Sequence, residues 1–177
     1  MISQAEAVKL FGLLQNIVIM RLTNKKEVMN MTNQRDASCI FCKIIDGEVP
    51  SHTIYEDENI KAFLDTSQTT PGHTLVVPKT HVKDIFAYDP ELASKTFAKI
   101  PMIAQAIKAM DPKIIGMNIV NNNGTVASQS VFHSHFHLIP RYSEQDDFKI
   151  IFGDNTEKYS EDQLNQIQDK IKSKLEK

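Results

Sequence analysis

The chain has few cysteines and almost no net charge. Of its 177 residues only Cys39 and Cys42 are cysteines, and the formal net charge is -2 at pH 7. Two cysteines so close together cannot form the disulfide framework of a small secreted protein, so we expect a reducing, cytoplasmic location. A charge of -2 offers no basic surface for nucleic acid, which proteins bind largely by neutralising phosphates. A charged ligand would therefore need a local site.

The apolar run near the N-terminus is too short to span a membrane. Residues 10–22 are interrupted by three polar side chains and fall short of the about 20 residues that a membrane-spanning helix needs. The run is followed by residues 23–26 (TNKK) and not by the small residues of a signal-peptide cleavage site. The run could be the core of a signal peptide or part of a non-targeting extension, and we favour the extension. Met29 and Met31 lie just before the first strong patterns and could serve as alternative translation starts, and we expect residues 1–37 to lie outside the folded domain.

Internal repeats and low-complexity segments are also absent from the sequence. The chain is long enough for one domain with a hydrophobic core, and length alone gives little reason to expect two. We therefore predict a single domain over residues 38–148, followed by a tail with an amphipathic helix over residues 149–177.

Five segments have the composition of β-strands. Two short apolar runs within residues 54–64 flank the polar residues 56–59, which predicts a β-hairpin. The β-branched run at residues 74–77 is bounded by prolines and predicts a third strand. Residues 114–120 and 130–139 predict two further strands, which flank an asparagine-rich loop and form a hairpin or sheet neighbours.

Two helices complete the predicted fold. Asp89 and Pro90 mark the N-cap and the first position of a helix, and Pro101 in its interior predicts a kink. Ser160 and Gln163 form a capping box before an apolar stripe, which predicts a C-terminal amphipathic helix. Strands adjacent in sequence with one helix among them predict an α+β domain with a largely antiparallel sheet.

Three of the six histidines alternate within residues 131–141, VFHSHFHLIPR. On a strand, His133, His135 and His137 would share one face. One interpretation is that the three histidines are partly exposed on a solvated sheet face and have no function. We disfavour it because three aligned groups that titrate near neutral pH are an unfavourable surface unless a charge or a metal is involved. A three-histidine metal site is disfavoured because alternate residues of a flat strand do not converge within the about 3.5 Å that tetrahedral ligands require. We favour an imidazole nucleophile, which attacks phosphorus to form a phosphohistidine-type intermediate.

This segment resembles the signature of the histidine triad (HIT) family, with Ser134 in place of an apolar residue. Other landmarks follow in the order of the family: residues 41–45 (FCKII), 47–50 (GEVP), 62–65 (AFLD), 72–79 (GHTLVVPK), 121–124 (NNNG) and 129–132 (QSVF). The resemblance covers residues 39–148. It implies a HIT-like fold, with a sheet of about five antiparallel strands, a kinked central helix and a C-terminal helix.

The activity that the resemblance implies is hydrolysis at the α-phosphate of a purine nucleotide containing AMP. Residues 138–141 (LIPR) resemble the bacterial-type and Fhit branches more than the Hint branch. The leading substrate is a nucleoside phosphoramidate or adenylylated amine, and the close alternative is a diadenosine polyphosphate. An alternative of another class is a nucleotide-binding scaffold module with incidental catalysis. Transfer to a sugar phosphate is disfavoured, since that branch has His-Pro-His-Pro-Gln. The family also implies a homodimer with joined sheets.

The family's functional positions match this sequence residue by residue. His135 matches the nucleophile, and His137 and His73 match groups that contact the phosphate and assist the leaving group. Asp65 matches a carboxylate that accepts both ribose hydroxyls. The remaining matches are polar groups around the phosphate (Asn122, Gln129 and Ser130) and apolar walls around the purine (Ile40, Phe41, Ile44 and Phe63). Without the resemblance to the family, we would interpret Asp65 and Asn122 as ordinary turn residues and His73 as an exposed loop residue.

The cysteine pair is open to three interpretations: a redox pair, inert buried thiols, or half of a zinc site. A thioredoxin-type pair requires a βαβ context that is absent here, so we prefer structural zinc. In zinc-bearing bacterial-type members of the family, the matching ligand positions are Cys39, Cys42, His81 and His133. His52 matches no role and is expected at the surface.

Overall fold

The computed structural model describes residues 35–175, so that most of the predicted extension 1–37 lies outside the described residues. Five antiparallel strands form one sheet: β1 (Thr53–Glu56), β2 (Ile60–Leu64), β3 (Thr74–Pro78), β4 (Gly116–Val120) and β5 (Phe136–Arg141). Their order across the sheet is β1-β2-β3-β5-β4. The predicted antiparallel sheet, its β1–β2 hairpin and the pairing of β4 with β5 are thus confirmed.

Alternate residues of the central strands face two different hydrophobic clusters. Val76 on β3 packs with Phe136 and Leu138 of β5 in the larger cluster, whereas Leu75 and Val77 pack in the other cluster. The β3–β5 register places Leu75 opposite His137. His137 therefore lies on the face of the second cluster, which also contains Cys39, Phe41, Cys42, Ile44 and Phe63.

Residues 35–175 contain four α-helices: α1 (Ile40–Ile45), α2 (Pro90–Phe97), α3 (Ile100–Met110) and α4 (Glu161–Leu175). Asp89 caps α2 as predicted, because its Oδ1 atom accepts a hydrogen bond from the backbone N–H of Leu92 at 2.7 Å. The bent helix of the predicted fold is present as the pair α2 and α3. The predicted interior position of Pro101 was wrong, since Pro101 lies in the first turn of α3. An N–H group at this position has no partner within the helix, so its absence in proline costs no hydrogen bond.

The predicted strand over residues 130–139 was wrong at its start, because β5 begins only at Phe136. The preceding backbone has other partners: Ser134 N–H donates to the carbonyl of Val82 at 2.7 Å, and the carbonyl of His135 accepts from the Asn121 side chain at 2.8 Å. These contacts replace ladder bonds to a neighbouring strand. Of the three alternating histidines, only His137 lies within the strand.

The chain divides into two compact units, one ending at Asp147 and one beginning at Phe148. In the second unit, Ser160 and Gln163 form both reciprocal bonds of the predicted capping box, at 2.9 and 3.3 Å. The apolar stripe of α4 is exposed and consists of Leu164, Ile167, Ile171 and Leu175. Within residues 35–175, no helix is long and apolar enough to cross a membrane.

Candidate active site and metal centre

A cavity of about 580 Å³ is lined by α1, the end of β2 and the segment before β5. Eight of the predicted site residues line it: Ile40, Phe41, Ile44, Phe63, Asp65, Ser130, His135 and His137. The first four provide an apolar wall, and the last four provide hydroxyl, carboxylate and imidazole groups. The volume lies in the range of small-molecule sites, about 300–1,000 Å³, which are apolar with a few polar groups.

The imidazole of His135 is buried and held in one tautomer. Its Nδ1 atom lies 2.7 Å from the carbonyl oxygen of His133, and because a carbonyl oxygen only accepts, Nδ1 carries the proton. The Nε2 atom then has a lone pair and can act as a nucleophile. Burial lowers the pKa of His135, while the bond to His133 and the charge of Asp65 oppose this effect.

His137 is linked to His73, which immediately precedes β3. The Nε2 atom of His73 is 2.9 Å from Nδ1 of His137 and 3.8 Å from the Oδ2 atom of Asp65. Burial lowers the pKa of His137 to about 4 and also lowers that of His73, whereas the Asp65 carboxylate raises both. His73 does not line the cavity, and it reaches the site through its contact with His137.

The loop that joins Asp65 to His73 is closed by one side chain, Gln68. Its Nε2 atom donates to the carbonyl oxygens of Asp65 and His73 at 2.8 and 2.7 Å, and its Oε1 atom accepts from the N–H of Gly72 at 2.8 Å. Gln68 adopts a φ of 40°, which is uncommon for a residue other than glycine. The sequence analysis missed this residue, since no local pattern marks a glutamine that bonds across its own loop.

The polar residues predicted around the phosphate lie in different surroundings. Ser130 lines the cavity, whereas Gln129 is buried and bonds to the carbonyls of Lys83 and Val131 and to the N–H of Gly124. The Asn122 amide lies 3.5 Å from the Ser128 carbonyl, and Asn122 is not among the residues that line the cavity.

The segment after α1 also contributes to the cavity, which the sequence analysis did not predict. Val49, Pro50, Ser51 and His52 line it. His52 is exposed, as expected, but it lies at the cavity and not elsewhere on the surface. These residues follow the turn that ends α1, so the short helix places them beside the apolar wall.

The four predicted metal ligands form one cluster. One ligand atom from each of Cys39, Cys42, His81 and His133 lies within 4.8 Å of the others. The Sγ atom of Cys42 is 3.3 Å from Nδ1 of His81, and the Sγ atom of Cys39 is 3.5 Å from Nδ1 of His133. Two thiols and two imidazoles at these separations form a donor set suited to tetrahedral zinc.

The surroundings of His133 also suit a metal ligand. Its Nε2 atom lies 2.9 Å from the carbonyl oxygen of Pro78, so Nε2 carries the proton and Nδ1 presents its lone pair to the two thiols. Burial lowers the pKa of His133 to about 4, which keeps the ring neutral. Burial raises the pKa of the Cys42 thiol, an effect that a bound cation would reverse.

The HIT domain family matches residues 46–144. A protein of Bacillus subtilis named "Protein hit" is 48% identical over 139 residues, covering 78% of this chain and 94% of that protein. An adenosine 5'-monophosphoramidase of Saccharomyces cerevisiae is 37% identical over 141 residues, covering 80% and 85%. An adenylylsulfatase of Arabidopsis thaliana is 40% identical over 116 residues, covering 65% of this chain and 57% of that enzyme.

Solved structures of similar chains share the fold. A HIT family protein from Bacillus anthracis superposes with a TM-score of 0.75 at 50% identity, covering 78% of this chain and 97% of that one. A zinc-bound histidine triad family protein from Mycobacterium smegmatis has a TM-score of 0.59 at 37% identity, covering 75% and 96%.

Proposed function

The chain belongs to the HIT domain family and is a nucleotide hydrolase of that family, and we propose that its substrate is a purine nucleoside 5'-phosphoramidate such as an adenylylated amine. Relatives named adenosine 5'-monophosphoramidase and adenylylsulfatase support a substrate that contains AMP and loses a group from its phosphate. The residue roles below are part of the same proposal.

One observation supports the proposal most directly: a neutral imidazole nucleophile and a second imidazole lie together at a cavity with an apolar wall. The ring centroids of His135 and His137 are 4.9 Å apart, and both rings line the same cavity as Ile40 and Phe41. A purine base would pack against the apolar wall, and the α-phosphate would lie at the two histidines. Asp65 lines the cavity as well and would accept the ribose hydroxyls.

In the first step, Nε2 of His135 attacks the α-phosphorus and the P–N bond to the amine breaks. The departing amine needs a proton, which we propose comes from Nε2 of His137. The bound anionic phosphate and Asp65 together favour uptake of one proton by the His73–His137 pair, because both negative charges stabilise an imidazolium. That proton leaves with the amine, and a nucleotidyl-histidine remains on His135.

In the second step, water attacks the same phosphorus and the bond to His135 breaks. The pair of His137 and His73 accepts the proton of the attacking water, and AMP is released. The proton given to the amine is thus recovered from water, and the enzyme returns to its starting state. Hydroxyl and backbone groups around Ser130 would stabilise the charge on the phosphate oxygens.

We further propose that the cysteine–histidine cluster binds one structural zinc ion through Cys39, Cys42, His81 and His133. The support is the geometry of the four donor atoms and the zinc-bound relative from Mycobacterium smegmatis. When bound, the ion would supply cross-linking and no chemistry. It would join the N-cap and first turn of α1 to the histidine that precedes the nucleophile by two residues.

A cytoplasmic homodimer is part of the proposal as well. β4 is an edge strand of the sheet, and Ile119 on it is exposed, which suits pairing with a second copy. A measurement of mass in solution tests the dimer, and a monomeric mass at micromolar concentration would contradict it.

Turnover of adenosine 5'-phosphoramidate and of diadenosine tetraphosphate, measured side by side, tests the substrate. We expect the phosphoramidate to be hydrolysed with the higher kcat/KM, and the reverse order would favour the dinucleotide alternative. His135→Ala should abolish turnover yet retain AMP binding, with His52→Ala as the control for loss of a histidine at the cavity. Absence of turnover of both substrates by the unaltered protein, with AMP still bound, would favour a nucleotide-binding scaffold.

A further inference from the structure

We propose that Asp65, His73 and His137 form a second binding site for a divalent transition-metal ion, and that an ion bound there inhibits hydrolysis. This site lies at the substrate cavity and shares no residue with the cysteine–histidine cluster. The inhibition rests on the proposed function, whereas binding of the ion does not.

The geometry of the three side chains matches one face of a metal coordination shell. Their nearest ligand atoms all lie within 4.8 Å of one another. The two imidazole nitrogens, Nε2 of His73 and Nδ1 of His137, are 2.9 Å apart. This separation is close to that of adjacent octahedral ligands at about 2.1 Å from one ion, and a tetrahedral ion would require the two rings to move apart to about 3.5 Å. The Oδ2 atom of Asp65 is 3.8 Å from the same nitrogen of His73, so the three donor atoms are close enough together to bind one ion after small side-chain adjustments.

The donors are also in the protonation states that metal binding requires. Metal ions bind neutral imidazole and ionised carboxylate. Burial keeps both histidines neutral near pH 7, and the bonds from Ser67 keep Asp65 ionised despite its partial burial. Of the two carboxylate oxygens, Oδ1 accepts from the N–H and the hydroxyl of Ser67, both at 2.8 Å. The other oxygen, Oδ2, faces His73.

Two imidazoles and one carboxylate prefer borderline divalent ions such as Zn²⁺ or Co²⁺ over Mg²⁺. The cysteine–histidine cluster has two thiols and therefore prefers softer metal ions. The two sites thus differ in chemistry as well as in position. An ion between His73 and His137 would occupy the place of their shared proton. With the ion on Nδ1, the Nε2–H of His137 would be a much weaker acid than the imidazolium that protonates the amine, and Nε2 would have no lone pair to accept a proton from water. Hydrolysis would therefore be inhibited.

The test begins with tag-free protein that contains one zinc ion per chain by metal analysis. Titration with Co²⁺ should load a second equivalent of metal. The absorption spectrum of the cobalt-loaded protein should lack the thiolate-to-cobalt charge-transfer band, which would appear if cobalt exchanged into the cysteine–histidine cluster. Hydrolysis of adenosine 5'-phosphoramidate should fall in proportion to occupancy of this second site. Absence of a second equivalent in the unaltered protein would overturn the proposal.

Three variants locate the ion. Asp65→Asn and His73→Gln should each weaken the second equivalent by more than about tenfold while retaining the first. His52→Gln, which removes a cavity histidine outside the trio, should retain both. Unchanged cobalt affinity in both trio variants, or an equal loss in His52→Gln, would overturn the assignment of these ligands. Binding of the second ion by a protein that hydrolyses no phosphoramidate would refute the proposed function but not the metal site.

Discussion

The Nδ1 atom of His135 lies 2.7 Å from the carbonyl oxygen of His133, two residues earlier in the chain. The ring of His133 belongs to the cysteine–histidine cluster, and its backbone sets the tautomer of His135. The cluster and the proposed nucleophile are therefore joined by one short backbone segment. A change in the cluster can reach the nucleophile without altering any residue that lines the cavity.

Removal of zinc should destabilise the fold and expose both thiols. We expect one zinc per chain in the purified protein, and a chelator should lower the midpoint of thermal unfolding by about 10 °C, because binding to the folded state adds several kcal/mol. Cys39 and Cys42 are the only cysteines in the chain, so a thiol reagent should report two reactive groups after chelation and almost none before it. Two reactive thiols in the untreated protein would contradict the metal site.

His73→Gln should reduce kcat more than it changes KM. Loss of the His73 ring removes the partner of His137 Nδ1 and the second member of the proton-accepting pair, so we expect kcat to fall about 10- to 1,000-fold. Affinity for AMP should stay within a few-fold, since His73 does not line the cavity. A raised KM at unchanged kcat would instead indicate that His73 contributes to substrate binding.

The acid limb of kcat/KM should lie below pH 6.5. An ordinary histidine has a pKa near 6.5, and burial lowers that of His135. His135 therefore stays neutral and nucleophilic as the pH falls through 6.5. Measurements between pH 4 and 8, corrected with His135→Ala for acid hydrolysis of the substrate itself, test this expectation. An acid limb centred at or above pH 6.5 would contradict it.

The free energy of unfolding should depend on pH through His137. Because the pKa of this histidine is lowered on folding, its protonation at acid pH should destabilise the folded protein. The pKa of His137 is about 4 in the folded protein and about 6.5 when unfolded, so the unfolded chain binds the proton more tightly. The free energy of unfolding should thus decrease as the pH falls from 6.5 to 4. His137→Gln should show a shallower decrease over this window in denaturant titrations, and an unchanged slope would exclude His137 as its source.

Gln68→Glu should disrupt the loop between Asp65 and His73. A carboxylate cannot donate to the two carbonyl oxygens that the Gln68 amide now contacts, and loss of both bonds should lower the free energy of unfolding by about 2 kcal/mol. The displaced Asp65 and His73 should also reduce kcat. Gln145→Glu makes the same change of charge at an exposed position and should alter neither property. Equal effects of the two substitutions would show that charge alone is responsible.

Ser134→Ala should be close to neutral for stability. Ser134 is fully buried, its hydroxyl makes no hydrogen bond of standard geometry among the described residues, and it interacts with the buried Tyr88 hydroxyl. Removal of the buried hydroxyl relieves its desolvation cost and loses only the interaction with Tyr88, so we expect a change within about 1 kcal/mol. Ser134→Val adds volume at a filled position and should cost about 1–3 kcal/mol. A large loss in Ser134→Ala would indicate that the hydroxyl has a partner such as a buried water.

Local patterns were sufficient for most of the secondary structure. The β1–β2 hairpin follows from apolar runs around a polar turn, and the start of α2 follows from Asp89 and Pro90, because each signal acts within a few residues. The predictions failed where distant groups compete for the backbone. β5 begins at Phe136 because Val82 and Asn121 bond to residues 134 and 135, and nothing within residues 130–139 records those partners.

The sequence by itself determined the residue types of the site, the family, and the alternation that directs Phe136 and His137 to opposite faces of β5. Only the tertiary structure decided which of these residues meet. His73 and His137 are 64 residues apart in the chain, and their contact exists because β3 and β5 pair in one register. The closure of the loop by Gln68 and the tautomer of His135 likewise depend on distances between atoms, which a pattern of residue types does not specify.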